Sequence, residues 1–287
     1  MRVFLDCLPC MVRQILDASR MGTDDIALQQ EIMDEALAVV CRYREYPNAP
    51  ELARDIHRIV KRKTGLTDPY RAVKDDAIAS ALSLAPFLER YLDEKRDKLY
   101  WGLKTAATGN IIDAAIFRDI TIDEGIEDEL EKPFAVCDID GFRERMAHAK
   151  TLLIVADNAG ETVFDRLLME RLSGLIITYA VRDQPNINDA TIEDARASGI
   201  EGCARILSTG CDAPGILFGE CSDEFLRIYR EADLVISKGQ ANYETLSGAD
   251  REIFFLLKAK CQLIASHLHT DVNEYVFMRN TGRDTGK

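Results

Sequence analysis

Histidine is scarce in this chain, with four in 287 residues, and only His267 and His269 stand near one another. An imidazole-rich zinc site or a Ser-His-Asp triad is therefore not expected. The two neighbouring histidines alternate at what reads as the end of a last core strand, Leu263–Ala265, where a solvated or core histidine is the simpler account. Positive charge is also in deficit. A formal net charge of −13 opposes binding to DNA, RNA or an anionic membrane, since those partners need a concentrated basic surface. No apolar run approaches the length of a membrane span, and the opening MRVFLDCLPC lacks the basic region and long apolar core of a secretory signal. A cytoplasmic protein is expected, with its eight cysteines reduced and mostly serving as small hydrophobes. Neither GxGxxG after a first strand, nor GxxxxGK[ST], nor a GxSxG elbow occurs, so dinucleotide, P-loop and nucleophile-elbow chemistries find no support.

What is present is a chain long enough to bury a substantial core without staples, 47% apolar and 30% charged. From Gln14 to about Leu103 the apolar spacing is helical, broken at Pro47–Pro50 and at Gly65–Pro69. Another helical segment, Leu99 to Phe117, is interrupted at Gly109–Asn110, and Asp113 falls three residues after Asn110 on the same helical face. Such a polar pair is either a buried structural hydrogen bond or part of a site. Between Asp119 and Phe142 the composition turns acidic, which reads as a solvated connection with at most one short helix. Beyond it, apolar runs at Leu152–Ala156, Leu175–Val181, Ala204–Leu207, Leu234–Ser237 and Leu263–Ala265 alternate with helical stretches, and Glu274–Met278 adds an edge strand. This is the signature of an α/β fold with a mainly parallel sheet covered on both faces. Two regions follow: residues 1–145, α-helical, and residues 146–287, α/β.

Four of the runs end in short polar segments, three of them glycine-bearing. The first, TLLIVADNAGE (Thr151–Glu161), stops at Asp157–Asn158, and the others carry Arg182–Thr191, Ser208–Gly215 and Lys238–Glu244. In open α/β sheets, ligands sit beyond the carboxyl ends of the strands, so these loops converge on one crevice. A carboxylate beside a carboxamide supplies oxygen donors for a hard cation, although either residue could equally N-cap the next helix. With Lys238 nearby, a cation at this edge suits phosphoryl chemistry. Lys238 alone is as well explained by a solvated lysine after a strand; Gly239, which permits close approach to a ligand, and the acidic chain's need for a local cation favour a role at the site. Cys7 and Cys10 form a single CxxC with no matching second pair for zinc, and a packed pair of thiols near a helix start accounts for it.

Seven segments, CLPC, DPYR with Lys74, ATGNIIDAA, ADNAGE, PNINDATIEDA, STGCDAPG and SKGQANYE, occur in the order seen in the metal-dependent damage-control phosphatases, formerly domain of unknown function 89. Over nearly its whole length the chain resembles the short prokaryotic and archaeal branch of that family that carries an N-terminal CxxC. The resemblance implies a Rossmann-like α/β/α sandwich preceded by helices that contribute to the active site. It implies a divalent cation (Mn, Mg, Co or Ni) on Asp157, Asn158 and Asp189. Asn110 and Asp113 are implied to face the site, Glu161 to belong with the substrate-binding residues, and Lys238 with Asn242 to lie on the phosphate side. The implied reaction is hydrolysis of a small phosphorylated metabolite, a sugar phosphate among them, by a metal-activated water. Methylation of protein carboxyl groups, proposed for some members, ranks second because no glycine-rich loop supports a methyl donor. A non-catalytic metal-binding or redox protein using the CxxC is the contrasting reading. On the phosphatase reading, Lys238→Ala lowers turnover by roughly two to three orders of magnitude with metal affinity nearly unchanged. Kinetics alongside metal titration checks this, and loss of the metal instead would put Lys238 in support of the metal shell.

Overall fold

The structure is a computed structural model that describes residues 1–111 and 122–280. Asp113 lies outside the described residues. Helices α1 (Cys7–Gly22), α2 (Ile26–Val40) and α3 (Ala49–Thr64) share one core through Ile15, Ile32, Ala36, Leu52 and Ile56. Their boundaries follow local chemistry. The Asp25 carboxylate accepts from the Ala27 amide at 2.9 Å to start α2, and Asn48 Oδ1 accepts from the Glu51 amide at 2.8 Å to start α3. Gly65, at φ 72°, ends α3 in the left-handed conformation that glycine adopts without penalty. Helices α4 (Arg71–Glu94) and α5 (Lys98–Thr108) then leave this bundle and pack on α8 (Thr162–Met169) of the sheet region.

Seven strands form one sheet: β1 (Phe134–Cys137), β2 (Thr151–Val155), β3 (Ile176–Val181), β4 (Arg205–Ser208), β5 (Leu234–Lys238), β6 (Ile253–Lys258) and β7 (Tyr275–Asn280). Their spatial order is β1-β7-β6-β5-β2-β3-β4, and every pairing is parallel except β6 with β7. The strand period of two divides the apolar residues between two cores. Leu152, Ile154, Tyr179, Ile236 and Phe254 fill one, whereas Leu153, Val155, Ala180, Val235 and Phe255 fill the other. Layers of helix on both faces cover these cores, as the unbroken apolar strands require. Besides α8, the sheet region carries α6 (Ile122–Glu131), α7 (Ile139–Met146), α9 (Ile192–Ala197), α10 (Asp223–Glu231), α11 (Gln240–Leu246) and α12 (Gln262–His267). Among the described residues no helix is long and apolar enough to cross a membrane.

The structure corrects four of the sequence readings. Leu263–Ala265 is not a strand but lies inside α12, with Ile264 and Ala265 buried on one face; three apolar residues are too few to tell the two apart. The strand of this region is Ile253–Lys258, whose phenylalanines and buried Leu256 and Leu257 occupy the sheet interior. His267 and His269 therefore lie at and after the end of a helix, and both are exposed. The edge strand expected at Glu274–Met278 runs over Tyr275–Asn280 and sits between β1 and β6. The acidic connection contains β1, which closes the outer side of β7, so the sheet begins before residue 146. Helix α7 belongs to it as well, because Phe142 is fully buried with ring centroids 5.0 Å from Phe254 and 5.5 Å from Phe277. A fragment that begins at residue 146 is expected not to fold. In the full chain, Phe142→Ala should cost about 3–5 kcal/mol, read from the urea midpoint at unchanged slope.

Candidate active site

From β2 the chain proceeds to β3 and β4 on one side, then returns to place β5 and β6 on the other. The boundary between β2 and β5 is the topological switch point, where strand ends diverge and leave a crevice. Asp157 and Asn158 follow β2 there, and Lys238 and Gly239 end β5 beside them. The fit is tight: Gly239 has φ 81°, and a side-chain carbon on it would fall on the Asp157 carboxyl group. Glycine is required at this position by both backbone and space.

Asp189 comes to the same point from the loop after β3. The backbone at Asn158 pairs with that at Asp189, Ala190 N donates to the Asp157 carbonyl at 2.8 Å, and Ala159 N donates to the Asn188 carbonyl at 2.8 Å. The loop is held in a strained shape, since Ile187 has φ 49°, a conformation rare for a β-branched residue. Several anchors hold it. Lys61 Nζ donates to the Pro185 carbonyl at 2.9 Å, and Asn186 Nδ2 to the Asp212 carbonyl at 2.7 Å. Thr191 and Asp194 form a capping box at the start of α9. Asp194 Oδ2 in turn lies 2.7 Å from the fully buried Lys74 Nζ, which also reaches Asp68 at 2.8 Å. The DPYR segment and Lys74 thus hold the loop that carries Asp189 from the helical half.

Charge dominates the centre. Asp157, Glu161, Asp165 and Asp189 are all buried, as are Lys238 and Arg182. Lys238 Nζ donates to Glu161 Oε2 at 2.7 Å and Asp165 Oδ1 at 2.6 Å, and Arg182 Nε donates to Asp189 Oδ2 at 2.8 Å. Four carboxylates facing two cations leave a deficit of two positive charges, which one divalent ion would supply. Burial, then the charges of Glu161 and Asp189, push the Asp157 pKa well above the usual carboxylate value. Burial likewise raises Asp189 to about 6 against the opposing pull of Arg182. Asn158 Nδ2 donates to Asp157 Oδ2 at 3.3 Å and Glu161 Oε1 at 3.0 Å, so it is the side-chain oxygen that could ligate a cation. Two carboxylates and a carboxamide oxygen fit a hard cation that keeps some of its waters. Among the described residues, no three His, Cys, Asp or Glu side chains form a ready-made metal shell.

These groups open on a cavity of about 760 Å³ whose wall includes Asp157, Asn158, Asp189, Met11, Ile187 and Lys260. Asn110 approaches from the helical half, where Gly109 packs against Phe164, and its amide donates to Glu161 Oε1 at 2.5 Å. Of the residues expected from sequence, Asp157, Asn158, Asp189, Glu161, Asn110, Lys238 and Asn242 therefore lie in one buried cluster. Their arrangement differs from expectation for two. The Lys238 ammonium is held between Glu161 and Asp165, and those two carboxylates overcome burial to raise its pKa. Asn242 donates to the carbonyls of Ala156 and Lys238 at 2.9 and 2.7 Å and accepts from Arg182 at 3.0 Å, so it braces the strand ends. Sequence reasoning passed over Arg182, Asp165 and Lys260. Arg182 directly follows β3 and was legible as a strand-end residue; Lys260 was hidden because β6 was not recognised.

The family model for the damage-control phosphatase ARMT1-like domain matches residues 3–276. The chain belongs to this family. A damage-control phosphatase of Pyrococcus horikoshii is 32% identical over 98% of this chain and 99% of its own length. One from Archaeoglobus fulgidus is 33% identical over 94% of this chain and 96% of its own. The crystal structure of a DUF89 family protein from Pyrococcus horikoshii superposes with a TM-score of 0.89 at 30% identity, covering 98% of this chain and 100% of that one. In this damage-control phosphatase domain the elements just described, strand order and helical half alike, form one architecture shared with that relative.

Gly239→Ala should lower affinity for a divalent cation by more than about tenfold, since the added carbon displaces Asp157 and the backbone conformation itself costs about 1–3 kcal/mol; calorimetric titration measures it. The carboxyl pKa values are raised in the folded state, so their contribution to stability is present below about pH 4 and is lost as pH rises through about 6. Melting temperature of the cation-free protein should fall across that window, and saturating Mg²⁺ or Mn²⁺ should restore it at neutral pH, because the ion then competes with fewer protons.

Proposed function

We propose that the protein is a divalent-cation-dependent phosphatase that hydrolyses a phosphate ester of a small metabolite, a sugar phosphate being the class that suits the cavity. The observation that carries this reading is the two-charge deficit at the switch point of a chain whose curated relatives are damage-control phosphatases. Enzymes of this family are generally metal-dependent. Asp157, Asn158 and Asp189 would hold the ion. When bound, it polarises a phosphate oxygen and lowers the pKa of a water.

The chain's own residues do the rest. Arg182 fixes one carboxylate oxygen of Asp189, a residue of the cavity wall. Lys238 holds Glu161 by its Oε2, and Glu161 in turn orients both Asn158 and Asn110 through its Oε1. Lys238 is thus a positioning residue, and the cation that can meet a phosphate dianion is the exposed Lys260 on the cavity wall. Its charge acts on both Asp157 and Asp189, which places it within electrostatic reach of the centre. Such a group stabilises phosphate oxygens as a point charge. Asp113 remains proposed as a substrate-facing residue on the resemblance alone.

A panel of phosphate esters with Mg²⁺, Mn²⁺, Co²⁺ and Ni²⁺ should show turnover that chelation removes and Asp157→Asn abolishes. Absence of metal-dependent hydrolysis across the panel would leave a non-catalytic binding protein. Two lysine variants separate the assigned roles. Lys238→Ala strands two buried carboxylates and should destabilise the protein by about 3–5 kcal/mol while weakening cation binding. Lys260→Ala should change stability by no more than about 0.5 kcal/mol yet lower turnover by roughly two orders of magnitude.

A further inference from the structure

The CxxC takes no part in the chemistry above, yet it faces it. Cys7 and Cys10 occupy the first turn of α1, and Cys261 immediately precedes α12, from the opposite end of the chain. All three line the same cavity as Asp157 and Asp189. Side-chain amides meet two of the sulfurs: Gln14 Nε2 donates to Cys10 at 3.4 Å and Gln240 Nε2 to Cys261 at 3.5 Å. Cys10 is exposed, and Cys7 and Cys261 are half-buried. Residues three apart on an α-helix have Cα atoms about 5 Å apart from its rise and radius, inside the window of roughly 4.4–6.8 Å that a disulfide needs. A bridge between Cys7 and Cys10 can therefore close without unwinding α1.

We propose that Cys7 and Cys10 are a reversible dithiol–disulfide pair at the mouth of the active-site cavity, with Cys261 a third thiol able to exchange into the bridge. The oxidant class is a low-molecular-weight disulfide such as glutathione disulfide. The exposed Cys10 attacks as thiolate, forms a mixed disulfide and releases one small thiol. Cys7 thiolate then attacks the Cys10 sulfur, the protein bridge forms, and the second small thiol leaves. Each small thiol takes up one proton, matching the two that the cysteines lose. Partial desolvation, followed by Glu244 and Cys261 among other neighbours, raises the pKa of both thiols, so the reaction is slow at neutral pH and accelerates as pH rises. The other close thiols, Cys211 and Cys221, do not line the cavity, and Cys211 is fully buried, which makes that pair an internal control. Closing the bridge draws the Cys10 sulfur away from Gln14 and reshapes the mouth, while the carboxylate centre is untouched. Only this last consequence rests on the phosphatase reading.

The full-length protein is incubated with glutathione disulfide, and its thiols, intact mass and disulfide-linked peptides are measured. In the denatured protein the Cys7 and Cys10 thiols should both be lost with no glutathione left on either, through a bridge that maps to Cys7–Cys10 and reverses with dithiothreitol, whereas isolated exposed thiols such as Cys41 and Cys137 carry at most a glutathione adduct. Cys7→Ser should instead trap Cys10 as a stable glutathione adduct, and Cys261→Ser should still form the bridge. For each protein compared before and after oxidation, the bridge should raise KM about three- to tenfold with kcat within about twofold. The proposal is overturned if all eight thiols stay titratable, if the only bridge is Cys211–Cys221, if KM is unmoved by a mapped Cys7–Cys10 bridge, or if the thiols prove blocked by a stoichiometric thiophilic metal. A reduced protein that hydrolyses no phosphate ester would sink the phosphatase reading alone, because the thiol count and peptide map are read without turnover.

Discussion

Lys238 between Glu161 and Asp165 is the interaction on which the remainder of the site depends. A lysine and two carboxylates removed from water carry a large desolvation penalty, offset only when their geometry and hydrogen bonding are good. Here the ammonium makes two short contacts, Tyr179 donates to Asp165 Oδ2 at 2.7 Å, and the Glu161 oxygen not used by Lys238 accepts from Asn158 and Asn110. The charge on Lys238 thereby sets the orientation of two neutral amides on different parts of the chain. With Glu161 and Asp165 sharing one lysine and Asp189 matched by Arg182, Asp157 is the carboxylate of the four that neither cation bonds, beside the glycine that leaves it room.

The helical half is bound into this arrangement by polar contacts as well as by apolar packing. Lys74 and Arg71 hold Asp194, Lys61 holds the Pro185 carbonyl, Arg58 reaches Asp212 in a two-point contact, and Arg54 pairs with Glu220. Asp194 lies in the first turn of α9, and the other contacts land on the loops that follow β3 and β4. Those loops also carry the backbone strain at Ile187, which lines the cavity and packs on the bundle of α1 to α3. Strain of this kind persists when the surroundings over-determine the conformation, and here they come from residues more than a hundred positions earlier in the chain. Helical cover and the loop that carries Asp189 are accordingly one structural unit.

The same contacts explain why an acidic protein can address an anionic substrate. Most of its negative charge is dispersed over exposed surface, where solvent and salt screen it. At the switch point the carboxylates are compensated by buried Lys238 and Arg182 and, on the proposed reading, by a divalent ion. Lys260 then stands on the cavity wall with its charge unshielded by burial. The local field is thus opposite in tendency to the net charge, which is the condition stated from composition alone.

Much of this was determined by sequence. Unbroken apolar runs such as Leu152–Ala156 can be satisfied only by burial on both faces, so a covered parallel sheet followed from them, and the polar strand ends marked where its crevice lies. Seven ordered segments identified the family and brought Asp157, Asn158, Asp189, Glu161 and Asn110 forward, all of which meet in the fold. Tertiary structure alone decided three things. Short apolar segments carry no period of their own, so only packing could make Ile253–Lys258 a strand and Leu263–Ala265 part of a helix. A lysine at a strand end is compatible with a phosphate, a solvent or a buried carboxylate, and the presence of Asp165 one helical turn beyond Glu161 gave Lys238 its partners. Cys7, Cys10 and Cys261 share a cavity only because the chain's two ends fold to the same rim; that proximity between distant positions is a property of the closed structure, and no local spacing encodes it.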